Sequence, residues 1–267
     1  MLRTTDTVRK HAPPQGVVLW RGPSRIDGKP IAAVATGLLR PSANVATGPV
    51  IQVWIFRSRV PPLEAVRSGG DRSVCGDCLH RGTTCYVNVW REVTQVWRSF
   101  RQGRYPAFTP KMLALFQGRA IRLGAYGDPA AVPIAVWQQL HQVAGLWLAY
   151  THQWDQPWCD PALRELCMAS VDSPAQRERA LALGWKTFRT RTESEPVLPG
   201  EFICPKSAEA GRRLLCLQCG ACNGGAYTGQ ATPVTVLHGL PSLRRHFGDD
   251  PRRFALSLPL VGEGVAP

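Results

Sequence analysis

The apolar positions fall into short runs parted by polar turns, and their rhythm changes once along the chain. Ile31-Ala-Ala-Val-Ala-Thr36 and Val50-Ile-Gln-Val-Trp-Ile-Phe56 are runs of strand length. The turn-rich stretch Pro41–Gly48 between them suits a hairpin or two neighbouring strands. A loop containing Pro61, Pro62, Gly69 and Gly70 comes after them. Next are Val87-Asn-Val89 and a predicted helix from Glu92 to Arg101, which Gly103 and Pro106 end.

From residue 120 onward, strand-length runs alternate with helical spacing. Ala120–Ala125 predicts a strand ending in Tyr126-Gly-Asp-Pro129, and Trp137, Leu140, His141 and Ala144 then recur at helical spacing. Leu146–Tyr150 predicts a strand ending in Thr151-His-Gln-Trp154. A helix around Pro161–Glu165 leads to the run Leu166–Ala169, which ends in Ser170-Val-Asp172. Ala175–Leu183 predicts a helix closed by Gly184, and Trp185–Arg189 a strand ending near Arg191-Thr-Glu193. Phe202-Ile runs into Cys204-Pro-Lys-Ser207, and Pro233–Leu237 ends at His238-Gly239.

Strand ends near residues 128, 152, 172 and 192 recur every 20 to 24 residues. That interval suits βα units around a parallel sheet. Asp128, His152, Asp172, Arg191, Cys204 and His238 each follow an apolar strand. Such sorting is expected at the C-terminal face of a (β/α) barrel, and a doubly wound sheet also gathers chemistry at strand ends. The expected fold is α/β, a partial or full (β/α) barrel. A β-rich segment over 1–60 contributes to it, the barrel proper spans 61–240, and a tail covers 241–267.

Composition adds the partners. At 267 residues, with 44% hydrophobic and 19% charged positions, the chain can bury a substantial core. Met1–Pro14 is polar and basic, unlike a signal-peptide core, and no window approaches the ~20 apolar residues of a membrane helix. A cytoplasmic setting is expected, with no membrane partner. The net charge of +13 comes from arginines spread along the chain. It suits nucleic acid or another anionic substrate, although an Arg-rich composition alone would also produce it.

The strongest chemical signal is in the cysteines. Seven of nine form two sets, Cys75-x2-Cys78-x6-Cys85 and Cys204-x11-Cys216-x2-Cys219-x2-Cys222. In a reducing compartment such spacing favours a metal over disulfides. Three thiolates can hold a 4Fe-4S cluster and leave one iron open. Structural zinc wants a fourth ligand, for which His80 is in the loop, although it reads more simply as a solvated loop residue. The four-cysteine set closes the coordination of zinc or of an auxiliary iron–sulfur centre. After it, Asn223-Gly-Gly225 lets backbone amides approach the sulfurs. Cys159 and Cys167 read as buried or incidental thiols, and Trp137 and Trp147 as core.

Arg21-Gly-Pro-Ser24, Ile26-Asp-Gly-Lys-Pro-Ile31, Asn44-x2-Thr47-Gly48, Ile51-Gln-Val-Trp-Ile55 and Cys75-Gly-Asp-Cys78 resemble a family from phages, prophages and plasmids. Cys85-Tyr-Val-Asn-Val89, Arg122-Leu-Gly-Ala-Tyr-Gly-Asp-Pro129, Thr151-His-Gln-Trp154 and Met168-Ala-Ser-Val-Asp172 extend the likeness along nearly the whole chain. No biochemical role comes with it. More distantly, the Cys-rich loop ending in Cys-Tyr, the strand ending in Gly-Asp and the late Cys-Pro…Cys-x2-Cys-x2-Cys segment are similar to phage proteins of the radical S-adenosylmethionine type. That superfamily usually spaces its cysteines C-x3-C-x2-C, with the aromatic before the last of them. Here the spacing is C-x2-C-x6-C and the aromatic, Tyr86, stands after the last cysteine.

This second resemblance implies a barrel of the radical S-adenosylmethionine type. The open iron of a 4Fe-4S cluster on Cys75, Cys78 and Cys85 would bind the methionine end of the cofactor. Gly127 and Asp128 would lie against its amine, and Ser170, Asp172 and Arg191 would hold its carboxylate, its ribose or the substrate. An electron donor is then a required partner. The expected function is an iron–sulfur, radical S-adenosylmethionine-like enzyme of a mobile element. A zinc-binding, nucleic-acid-binding protein of phage or plasmid replication is the alternative, its nine tryptophans available for base stacking. A third reading is a zinc-stabilised barrel with non-redox chemistry at Asp128, His152 and Asp172. The sequence leaves the oligomeric state open.

Overall fold

The computed structural model of the chain describes residues 14–40, 47–238, 245 and 247–253. Their strands are β1 (Gly16–Pro23), β2 (Pro30–Thr36), β3 (Ile51–Arg57), β4 (Ala120–Tyr126), β5 (Leu146–Leu148), β6 (Tyr150–Thr151), β7 (Met168–Val171), β8 (Thr187–Arg191), β9 (Glu201–Ile203) and β10 (Thr232–Val236). The α-helices are α1 (Pro62–Arg67), α2 (Arg72–Cys75), α3 (Thr94–Arg101), α4 (Ile134–His141), α5 (Pro174–Ala182) and α6 (Cys216–Cys219). The fold is α/β, with two five-stranded sheets ordered β1-β2-β3-β4-β5 and β6-β7-β8-β10-β9.

The first sheet is mixed. The short Ser24–Lys29 connection leaves β1 and β2 antiparallel, because a parallel crossover needs about a dozen residues or more. β2 also pairs antiparallel with β3, as the hairpin pattern predicts. Ile31–Ala35 are fully buried, which explains an apolar run without alternation. From β3 onward every pairing is parallel, and the second sheet is parallel throughout. Since β3 pairs with both β2 and β4, the β-rich segment over 1–60 shares one sheet with strands of the 61–240 region.

β5 and β6 lie in one stretch of chain with only Ala149 between them. Ala149 N–H donates to the Cys222 carbonyl at 3.2 Å, and Trp147 N–H donates to Asn223 Oδ1 at 2.9 Å. The Cys-rich segment thus takes the hydrogen bonds that would otherwise continue the first sheet, and the ladder divides there. Among the described residues no strand of the second sheet pairs with β1, so hydrogen bonds do not close a barrel. The expectation of a full barrel is corrected on this point: the antiparallel β1–β2 pair stands at the sheet's edge.

Alternation along the strands separates two apolar layers. Phe56, Ile121, Leu123 and Trp147 join the main core with Trp137 and Leu140 of α4 and Ala180 of α5. Leu148 and Met168 belong to a smaller cluster with Val50 and Cys222. Trp137 and Trp147 are core residues, as expected, and Cys167 is fully buried. Helix α5 starts at Ser173, whose Oγ accepts the Gln176 N–H at 3.3 Å, and gives way to Gly184 at φ +80°.

Several boundaries differ from the sequence pattern. The predicted helix over 92–101 starts earlier, with a π-helical turn at Val89–Val93 before α3. Pro161–Glu165 is a single 3-10 turn, with Asp160 accepting the Ala162 N–H at 3.0 Å. β7 and β8 each start two residues later than the apolar runs, because Leu166, Cys167 and Trp185 pack in the core outside the strands. β1 is not among the expected strands, although Val17-Val-Leu-Trp20 is an apolar run; Val17 and Leu19 are buried, Val18 and Trp20 half-buried and Arg21 exposed. Of the expected tail, Phe247 packs with Leu79 and Leu237, and 254–267 lies outside the described residues, as does Asn44.

Candidate functional site

The first cysteine loop sits over the C-terminal ends of β4 and β6, held there from several sides. Asp128 N–H donates to the Val74 carbonyl at 2.6 Å. Arg81 reaches back, with Nε donating to Asp71 Oδ1 at 3.0 Å and Nη1 to the Gly76 carbonyl at 2.7 Å. Gln153 is fully buried just after β6, and its Nε2 donates to the Cys75 carbonyl at 3.1 Å. Gly76 lies against that amide at φ +56°, where a Cβ would stand 2.2 Å from Gln153 Oε1. Only glycine suits such a backbone and such an approach. Gly76→Ala is therefore expected to cost about 1–3 kcal/mol, seen as a lowered thermal midpoint. A melt equal to wild type would contradict the clamp.

Cys75 and Cys78 are half-buried and Cys85 is exposed. Loss of hydration pushes the Cys75 thiol well up, and the Cys78 and Cys85 thiols add to the effect. It also pushes Cys78 and Cys85 up to about 11, with Cys78 in turn raising Cys85. Each of the three thiols thus feels the other two. At neutral pH they are protonated and poor nucleophiles unless a cation binds them.

The strand-end residues divide sharply. Gly127, at φ +80°, packs where a Cβ would be 2.6 Å from the Ile55 carbonyl oxygen, so it serves a tight turn. Asp128 is buried and its carboxylate is occupied: Oδ1 accepts the Ala130 N–H at 2.9 Å and Thr151 Oγ1 at 2.8 Å, and Oδ2 accepts the His152 N–H at 2.8 Å. Burial still raises the Asp128 carboxyl above its ordinary value. Arg191 is tied to the Thr192 and Glu195 carbonyls at 3.0 and 2.8 Å and to the Glu209 carboxylate. Ser170 is buried, and its carbonyl accepts from Trp154 Nε1 at 3.1 Å.

His80 is not a solvated loop residue. Its Nε2 lies 3.1 Å from Asp172 Oδ1, and its Nδ1 2.6 Å from Thr84 Oγ1. Its ring stacks on Phe247, with centroids 5.3 Å apart. Burial pushes the Asp172 carboxyl up, but His80, His152 and Arg253 outweigh it and hold the group below its ordinary value. Among the described residues, ligand atoms of His80, His152 and Asp172 all lie within 4.8 Å of one another, and no set of cysteines does so.

The second cysteine set lies along the smaller apolar layer. Cys222 packs with Val50, Leu148 and Met168, and Cys216 borders them. Burial raises the Cys204, Cys216 and Cys222 thiols, and every pair among the four cysteines interacts electrostatically. The Tyr150 hydroxyl hydrogen-bonds the Cys222 sulfur. Arg122 is buried in mid-strand with its guanidinium 5.9 Å from the Tyr86 ring centroid and bonded to the Tyr86 hydroxyl. Its charge lowers the Cys216 thiol. Arg122 therefore stands between Tyr86, the neighbour of Cys85, and the second set.

Gln153, Arg81 and Arg122 were not singled out as site residues by the sequence. Arg122 had a visible signal, a lone charge inside an apolar strand run. Gln153 had none, because its partner Cys75 is 78 positions away, and Arg81 grips Gly76 and Asp71 five and ten positions back within the loop, a contact no motif marks. Comparison of the chain with family models, with curated proteins and with solved structures finds no match.

Proposed function

We infer that the chain is an iron–sulfur protein of a mobile genetic element and a radical S-adenosylmethionine-like enzyme. In this reading Cys75, Cys78 and Cys85 hold a 4Fe-4S cluster with one open iron, and Cys204, Cys216, Cys219 and Cys222 hold a second centre. The observation that carries it is the spacing of the thiols. Each set is electrostatically coupled throughout, yet among the described residues no three sulfurs come within 4.8 Å of one another. Thiolates on one tetrahedral zinc, with bonds of about 2.3 Å, stand only about 3.8 Å apart. Thiolates on a four-iron cluster each bind a different iron and are spread more widely.

The parallel run from β3 to β9, with the cysteine loop over its C-terminal edge, supports a partial (β/α) barrel. A bound cluster would supply the electron for reductive cleavage of S-adenosylmethionine. The chain's own residues prepare the setting. Gln153 and Arg81 fix the loop, Asp128 orders the strand end through its three hydrogen bonds, and Arg122 offsets thiolate charge near Cys216. Asp128 and Arg191 act through structure rather than as free cofactor ligands, which leaves Ser170 as the strand-end contact with a hydroxyl to offer. Tyr86, 65% exposed beside Cys85, supports an approach to the loop from solvent.

Anaerobic purification tests the reading. A brown protein with about four to eight iron and matching sulfide per chain is expected. On reduction with dithionite it should cleave S-adenosylmethionine to 5′-deoxyadenosine and methionine. A colourless protein with zinc and no iron would overturn the iron–sulfur reading. An intact cluster that leaves the cofactor uncleaved would overturn the radical part alone.

A further inference from the structure

The geometry points to a binding site for one divalent cation at His80, His152 and Asp172, beside Cys78 of the first cysteine set but sharing no ligand with either set. It stands whether or not the cysteines hold iron, so it does not rest on the function proposed above. The three side chains come from the cysteine loop, the end of β6 and the end of β7, which the parallel sheet places side by side. The 3.1 Å between His80 Nε2 and Asp172 Oδ1 suits two ligands on adjacent positions of one ion as well as it suits a hydrogen bond. An ion pair between those two alone leaves His152 unexplained. His152 Nε2 is sealed from solvent and has no hydrogen-bond partner among the described residues. The His80 and His152 rings meet edge to face with centroids 5.5 Å apart, so the orphaned nitrogen belongs to this cluster.

The surroundings fit a metal ligand set. Thr84 Oγ1 occupies Nδ1 of His80 at 2.6 Å, fixing the ring and presenting Nε2 towards Asp172, as the outer partners of metal-bound histidines do. Phe247, packed on Leu79 and Leu237, stacks on the His80 ring and gives that side of the site an apolar wall. Two imidazoles and one carboxylate suit Zn2+, Fe2+ or Mn2+, and three protein ligands leave positions open for water or a substrate oxygen. An ion here takes Asp172 in place of the ribose or carboxylate contact that the resemblance implies.

Mn2+ is the discriminating probe, because thiolates bind it poorly and N/O ligands accept it. The full-length protein, dialysed against EDTA, is titrated with Mn2+, and bound ion is counted from loss of the free-ion EPR signal. One Mn2+ per chain is expected. Asp172→Asn and His152→Ala should each weaken binding at least ~10-fold, and Cys78→Ser should leave it unchanged. Thr84→Val, which keeps all three ligands and nearly the same volume, should also weaken it ~10-fold while the far-UV CD spectrum stays that of wild type. The site is refuted by no binding up to ~1 mM Mn2+ or by Thr84→Val and His152→Ala binding as wild type does. Equal loss in Cys78→Ser would refute it too, since the ion would then belong to the cysteine loop.

Discussion

On the proposed iron–sulfur reading, Cys85→Ala is expected to remove one complete cluster, about four iron and four sulfide per chain, and all cleavage of S-adenosylmethionine, while a centre on the second set keeps its metal. Cys78 and Cys85 both raise the Cys75 thiol, and Cys78 raises that of Cys85, and in the proposed reading each thiolate binds a different iron, so two cannot hold the cluster. Cys85 is exposed and its carbonyl and amide surroundings belong to the loop, so its loss leaves no cavity in the core. The fold should persist because the clamps at Gly76, Cys75 and Asp71 do not involve Cys85. Iron and sulfide analysis beside a far-UV CD spectrum reads both halves. Unchanged iron in a folded variant would separate Cys85 from the centre. Loss of all metal from both sets would mean that Arg122 and Tyr86 join them into one cooperative unit.

The alternating part of the fold was legible because each βα unit carries its own local signals. Ser173 and Gly184 bracket α5, and Asp128 and Asp172 follow strands whose interiors are apolar. Features that the pattern could not show depend on contacts between distant segments. The break at Ala149 is set by Cys222 and Asn223, more than seventy residues later, which take its strand's amide hydrogen bonds. The same holds for the candidate site. Cysteine spacing exposed both thiol sets, whereas the pairing of His80 with Asp172 spans 92 positions and leaves no trace in local sequence. Residue type at a strand end likewise does not say whether a group is free. Asp128 and Arg191 sit where a cofactor ligand would, yet both Asp128 oxygens are engaged by the backbone and Thr151, and both terminal Arg191 nitrogens by backbone carbonyls and Glu209.

Glu201→Leu is expected to be strongly destabilising while leaving every cysteine and histidine untouched. Arg189 and Glu201 are both fully buried and joined by two parallel hydrogen bonds, Nε to Oε1 at 2.8 Å and Nη2 to Oε2 at 2.7 Å. Removing the carboxylate strands a guanidinium that does not lose its proton, at a cost of about 3–5 kcal/mol. For a chain of this size that corresponds to a melting point lower by about 10 °C. Arg177 also reaches Glu201, at 3.2 Å, but keeps some solvent contact, so Arg177→Met should cost less than Glu201→Leu. Arg189→Met combined with Glu201→Leu should recover part of the loss, since the fully buried guanidinium goes with its carboxylate, while Arg177 loses its partner and keeps its bond to the Pro199 carbonyl at 3.0 Å. The damage should also reach the second centre, because β9 leads directly into Cys204, whose N–H donates to the Val234 carbonyl of β10 at 2.8 Å. Thermal melts of the three variants beside metal content decide the matter. A Glu201→Leu protein that melts with wild type would show that the charge pair is not what joins β8 to β9.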